Sequence, residues 1–158
     1  MAEAKERIGI GADHAGFELK AKLIEKMKAL GYDVEDYGTH SADSCDYPDV
    51  AFRVAEAVAE GEVSRGILSC GAGVGMSIAA NKVRGIRAAL CTSVDAARLS
   101  RLHNNANVLV VPGRDAQGES ASEILETWLK TDFPGEERHA RRVGKITAYE
   151  QRRCEEEG

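Results

Sequence analysis

The sequence predicts an α/β fold, a three-layer α/β/α sandwich built on a five-stranded parallel sheet and extended by a C-terminal helical tail. Three observations carry that expectation. Short apolar runs alternate with amphipathic stretches through most of the chain, the signature of repeated strand–helix units. The 158 residues hold no internal repeat, low-complexity tract or long linker, so 1–158 reads as one domain. Hydrophobic residues make up 43% of the chain and aromatics only 5%, which predicts an aliphatic core.

The elements follow in order. "RIGIGA" (7–12) is a strand. From Gly16 to Leu30, the residues Leu19, Leu23, Met27 and Leu30 recur at helical spacing, and Gly31 supplies the stop. "YDVEDYG" (32–38) is a weaker second strand. Pro48 starts a helix whose Val50, Ala51, Val54, Ala55 and Val58 form one apolar stripe. "GILSC" (66–70) is the third strand, and a glycine turn then feeds a helix through "SIAANK" (77–82). "IRAALC" (86–91) is the fourth strand. "TSVD" (92–95) reads as a capping box for a helix reaching about Leu102. "NVLVVPG" (107–113) is the fifth strand. Ser120 and Glu123 form another box before Ile124, Leu125, Trp128 and Leu129. Pro134 and Gly135 separate that helix from a charged tail, helical over about 136–153.

Charge and cysteine usage narrow the function classes. A net charge of −5 argues against a general nucleic-acid binder, so an anionic ligand would need a local basic pocket. No signal peptide or membrane span is visible, and Cys45, Cys70, Cys91 and Cys154 form no zinc signature or evident disulfide framework. A reducing cytoplasm is the expected location.

In an open parallel sheet, ligands bind beyond the carboxyl ends of the strands. Asp13 and His14 follow strand 1, Gly38, Thr39 and His40 follow strand 2, Cys70 and Cys91 end strands 3 and 4, and Arg114 follows strand 5. Cys70 has two readings: a small buried hydrophobe, or a functional thiol. Its place before Gly71-Ala72-Gly73-Val74-Gly75 favours the second, because a helix N-terminus stabilises a thiolate. Cys91 reads as core; Cys45 and Cys154 read as loop or surface thiols. The glycine turn matches neither the dinucleotide fingerprint nor the P-loop, since Met76 stands at the third glycine position and no Gly-Lys-Ser/Thr follows. It suits a small anion or a plain strand-to-helix turn.

His103, in "RLHNNAN", falls at the amino edge of the predicted sheet, opposite Cys70. It is either a dipole-compensating helix-end residue or a group supplied to a neighbouring chain's site. Arg138 and Arg142 are four apart and share one helix face, either as a phosphate grip or as a solvated face. His139 and Arg141 read as their more exposed neighbours.

Seven stretches together resemble the B-type ribose-5-phosphate isomerase family, which includes the galactose-6-phosphate isomerase subunits. They are "GADHAGFELK", "DYGTHS", "DYPDVA", "GILSCGAGVGMSIAANKVRGIRAALC", "ARLSRLHNNANVL", "RHARRV" and "ITAYEQRR", spanning about residues 8 to 153. The resemblance implies a Rossmann-like dimer or tetramer that needs no metal or organic cofactor and interconverts aldose and ketose phosphates. It implies that Cys70 moves a proton between C2 and C1, with Asp13 and the partner subunit's His103 assisting ring opening. It implies phosphate binding by His14, Arg138 and Arg142 with help from Arg114, and sugar contacts from Tyr47 and Asn104. Backbone amides of Gly71, Ala72, Gly73, Val74 and Gly75 would hold the enediolate oxygens. The family usually has Thr or Ser where this chain has Ala72, so one substrate-binding hydroxyl is missing. A six-carbon sugar phosphate, a non-catalytic sugar-phosphate-binding module and a thiol redox sensor are the competing readings.

Overall fold

A computed structural model describes residues 4–40, 43, 45–113 and 120–158. Five parallel strands, β1 (Arg7–Ala12), β2 (Asp33–Asp36), β3 (Arg65–Cys70), β4 (Ala88–Leu90) and β5 (Val108–Pro112), form one sheet in the order β2-β1-β3-β5-β4. Helices α1 (Phe17–Ala29), α2 (Tyr47–Ala59), α3 (Val74–Ala80), α4 (Val94–Asn104) and α5 (Ala121–Lys130) alternate with the strands, and α6 (Glu137–Glu157) forms the tail.

Strand alternation assigns the two layers. Ile8 and Ile10 point to the face covered by Leu23 and Met27 of α1, Ala97 of α4 and Ile124, Leu125, Trp128 and Leu129 of α5. The opposite face packs against Val50, Val54 and Val58 of α2 and Met76 and Ala80 of α3. Gly11 lets α2 approach: a Cβ there would lie 2.7 Å from Val50 Cγ1. The predicted three-layer sandwich and aliphatic core are both present.

Several boundaries differ from expectation. β2 and β4 are shorter than read, because both are edge strands with a ladder on one side only. A 3-10 turn, His14–Gly16, capped by Asp13, precedes α1. α3 begins at Val74, directly on the glycine turn, and ends before Asn81. The cap of α4 is Ser93 rather than Thr92: Ala96 N–H donates to Ser93 Oγ at 3.0 Å. Ser120 caps α5 as expected, accepting from Glu123 N–H at 3.2 Å. Cys91 is buried core, as read.

Candidate active site

β1 connects outward to β2, whereas β3 connects to β4 on the other side, so the chains leaving β1 and β3 diverge at a switch in strand order, the place where open α/β sheets bind ligands. Ala12 pairs with Ser69 across this boundary, which sets Asp13 beside Cys70. Asp13 N–H donates to Ser69 O at 3.1 Å, and Gly113 N–H donates to Cys70 O at 2.6 Å. The backbone on either side of the thiol is therefore fixed by the ladder.

Asp13 is buried, and its Oδ1 accepts from Ala15 N–H at 2.9 Å and Gly16 N–H at 3.1 Å. Those two donors are orphans of the following turn, so capping and placement of the carboxylate are one event. His14 Nδ1 accepts from Cys45 N–H at 3.3 Å, which leaves the ring proton on Nε2 as a donor for a ligand.

Cys70 is 6% exposed, and the backbone N–H groups of Gly73 and Met76 donate to its sulfur. Burial pushes the thiol's pKa up, the two amides pull it down, and the Asp13 carboxylate pushes it up again; the net direction is up. The turn and helix amides thus favour the thiolate, as expected, but burial outweighs them. α3 has only seven residues, and two amides do not offset the loss of solvation.

Gly73 adopts φ 83°, the left-handed conformation that bends the chain from β3 into α3. Tyr47, at the start of α2, lays its ring over Gly75: a Cβ there would come within 2.5 Å of Tyr47 Cζ. Gly71 is half-buried, and Ala72 and Val74 are exposed beside the thiol. Arg114 lies outside the described residues.

One group that sequence reasoning missed holds this edge together. Lys20 is buried and donates to both Asp36 carboxylate oxygens at 2.9 Å and to Thr39 O. Asp36 Oδ1 also accepts from Gly38 N–H at 2.9 Å. The segment after β2 is thereby tied to β1, where Ala12 N–H donates to Gly38 O and Thr39 N–H to Ala12 O, each at 2.7 Å. A lysine on a helix otherwise reads as a solvated charge, so no sequence signal separates this one from Lys22 or Lys26.

The remaining site residues gather elsewhere. His103 and Asn104 end α4, and Asn104 O accepts from Arg87 Nε just before β4. Gly66, near the start of β3, donates to Asn107 O. These contacts place His103 at the amino edge of the sheet, as expected, and Cys70 ends β3 at the other edge. Six strand residues separate the two edges by about 20 Å. Asn104, next to His103 at the end of α4, shares this edge, and α6 brings Arg138 and Arg142 to it, a placement the sequence reading does not anticipate. His139 differs from expectation: it is buried, with its ring stacked on His103 at a centroid distance of 4.2 Å and 14° between planes. Arg141 is exposed and paired with Glu137, as a solvated neighbour should be.

Among the described residues, one chain alone encloses no ligand-sized cavity beside either cluster. Large apolar side chains are exposed on α3 (Val74, Ile78) and on α6 (Ile146, Tyr149). No helix among the described residues is long and apolar enough to cross a membrane, and none of their His, Cys, Asp and Glu side chains group into a metal-holding set.

The Ribose/Galactose Isomerase family profile matches residues 8–146. Ribose-5-phosphate isomerase B of Escherichia coli K12 is 49% identical over 148 residues, 94% of this chain and 99% of that protein. The D-erythrulose-4-phosphate isomerase of Pectobacterium atrosepticum is 42% identical, covering 90% of this chain and 94% of its own. The solved structure of Clostridium thermocellum ribose-5-phosphate isomerase B superposes with a TM-score of 0.88 at 53% identity, covering 92% of this chain and 98% of that one.

Proposed function

The chain belongs to the ribose/galactose isomerase family, and from that premise we propose that it interconverts ribose 5-phosphate and ribulose 5-phosphate through an enediolate, with Cys70 as the proton carrier. The observation that supports this most is the thiol itself. Its sulfur receives two backbone N–H groups, stands beside a buried carboxylate and lies at the carboxyl end of β3, at the switch in strand order where folds of this class bind ligands.

The chemistry follows from these parts. The C–H proton beside a carbonyl is weakly acidic, so its removal needs a placed base and donors for the oxygen that gains charge. The thiolate of Cys70 takes the C2 proton, the electron pair moves into the C1–C2 bond, and the carbonyl oxygen becomes an enediolate oxygen. Amides of the 71–75 turn receive that charge; one such donor contributes roughly 3–4 kcal/mol. The hydroxyl proton on O2 passes to O1, which moves the charge to O2, and reprotonation at C1 by the same sulfur as the O2–C2 double bond forms gives the ketose and restores the thiolate. A thiol raised by burial is a scarcer but stronger base once ionised, and a positioned base contributes about 10²–10⁴-fold. His103 and Asp13 open the sugar ring, Tyr47 and Asn104 contact the sugar, and His14, Arg138 and Arg142 hold the phosphate, with Arg114 a further candidate.

These roles require a shared site. The thiol cluster and the His103 cluster lie on opposite sheet edges of one chain, so a two-fold homodimer, alone or within a tetramer, would bring the partner's cluster over Cys70. The exposed apolar residues of α3 and α6 give such a partner a surface to cover. The product and substrate are soluble metabolites, which fits the cytoplasm.

A second reading has its own support. Ala72 offers no hydroxyl and the thiol is pushed up, features that suit a sugar-phosphate-binding module without turnover. Cys70→Ser decides between them: loss of turnover with retained affinity supports the isomerase, and a wild type that binds without turnover overturns it. A panel of four-, five- and six-carbon aldose phosphates identifies the sugar, since one relative is named for a four-carbon ketose phosphate. Mixing Cys70→Ala with His103→Ala should restore about a quarter of wild-type activity, because half the dimers are mixed and each carries one intact site. No recovery in verified heterodimers overturns the shared site.

A further inference from the structure

We propose that His139 is a positioning residue that holds Arg138 and His103 in register, so that one buried imidazole sets both a phosphate-gripping group and a ring-opening group. The inference rests on the roles given above to those two residues. Its geometry stands independently of them.

His139 lies in the first turn of α6, where helix backbone is least constrained. Arg138 Nε donates to His139 Nε2 at 3.2 Å. An Nε2 that accepts carries no proton, so the ring is the neutral tautomer with its hydrogen on Nδ1. The groups facing this ring are His103 from α4 and Glu136, Arg138 and Arg142 from α6. Glu136 stands at 3.9 Å, the longest of the ion-pair approaches here, and Arg138, Arg142 and a second imidazole crowd the same space. Protonation would break the Arg138 contact and set a cation against a guanidinium; burial, His103, Arg138 and Arg142 all hold the His139 pKa down.

The two contacts do different work. Spending Nε on His139 leaves both Nη groups of Arg138 as a fork toward an anion. The stack restricts the His103 ring to one plane. A phenylalanine would fill the space and keep the stack, but it could not accept from Arg138.

Two variants separate these effects. His139→Phe should raise KM for ribose 5-phosphate and Kd for inorganic phosphate by about tenfold, the size of one charged hydrogen bond, with kcat within about twofold. His139→Gln should leave the Kd for inorganic phosphate within about twofold and lower kcat about tenfold, because His103 loses its flat support. Equal effects of the two variants on kcat and KM, or no effect of either, overturn the proposal. Imidazole 15N spectra of the wild type supply a check that needs no variant: an Nε2-protonated His139 at neutral pH overturns it. Phosphate binding and the spectra need no turnover, so a wild type inactive on ribose 5-phosphate would refute the isomerase reading while leaving this test intact.

Discussion

Gly73→Ala tests the turn on which the site depends. Gly73 sits at φ 83°, where an L side chain costs roughly 1–2 kcal/mol. Its Cβ would also fall 2.5 Å from Leu90 Cδ1, a contact shorter than real Cβ atoms make, and because this is the far end of a partly buried side chain, turning it aside costs about 0.5–1.5 kcal/mol. The sum, about 1.5–3.5 kcal/mol, is a sizeable share of a typical stability of about 5–15 kcal/mol, so the variant folds but is weakened. Gly71→Ala is the internal control. Gly71 is not among the positive-φ glycines, and the nearest atom to its Cβ would be Ala15 Cβ at an ordinary 3.8 Å, so the change should stay within about 0.5 kcal/mol. Urea unfolding of both variants measures the difference. A chemical readout accompanies it: the Gly73 amide is one of two donors to the Cys70 sulfur, so displacing it should slow alkylation of Cys70 at pH 8. Equal stabilities for the two variants would refute the account of the turn, and unchanged alkylation would refute the role given to the amide.

Three further outcomes are expected. Burial raises the Cys70 thiol, so its thiolate fraction grows with pH through a midpoint above the roughly 8.5 of a free thiol; iodoacetamide rates against pH measure this, and a midpoint below 8 contradicts it. Lys20→Met removes a buried ammonium from Asp36 and Thr39, and because Asp36 is one-third exposed and rehydrates, the cost should be about 2–4 kcal/mol by urea unfolding, smaller in Lys20→Met/Asp36→Asn. Ala72→Thr adds a hydroxyl at an exposed position of the turn and should raise kcat about 2–10-fold, the worth of one hydrogen bond; an unchanged or lower kcat argues that the turn works through its amides alone.

The fold was legible where local pattern and tertiary environment agree. β1, β3 and β5 occupy the middle of the sheet, and "RIGIGA", "GILSC" and "NVLVVPG" read as strands within a residue or two of their observed ends. The edge strands β2 and β4 were over-read, because apolar composition does not reveal that a strand has one neighbour instead of two. Thr92 and Ser93 are both competent caps, and the choice between them depends on where β4 releases the chain. His139 carried no periodic signal, since α6 is otherwise almost wholly exposed and its one buried position is set by His103.

The sequence by itself determined the layer order of this protein, its strand-end chemistry and the adjacency of Cys70 to a glycine turn, because those are properties of neighbouring residues and of hydrophobic period. Only the tertiary structure decided the direction of the thiol's shift, the burial of Lys20 and His139, and the stacking of His139 on His103. Each of those depends on solvent exclusion and on contacts between residues far apart in the chain, such as Lys20 with Asp36 and His103 with His139. A linear sequence records which groups are present, and desolvation is a property of what folds on top of them.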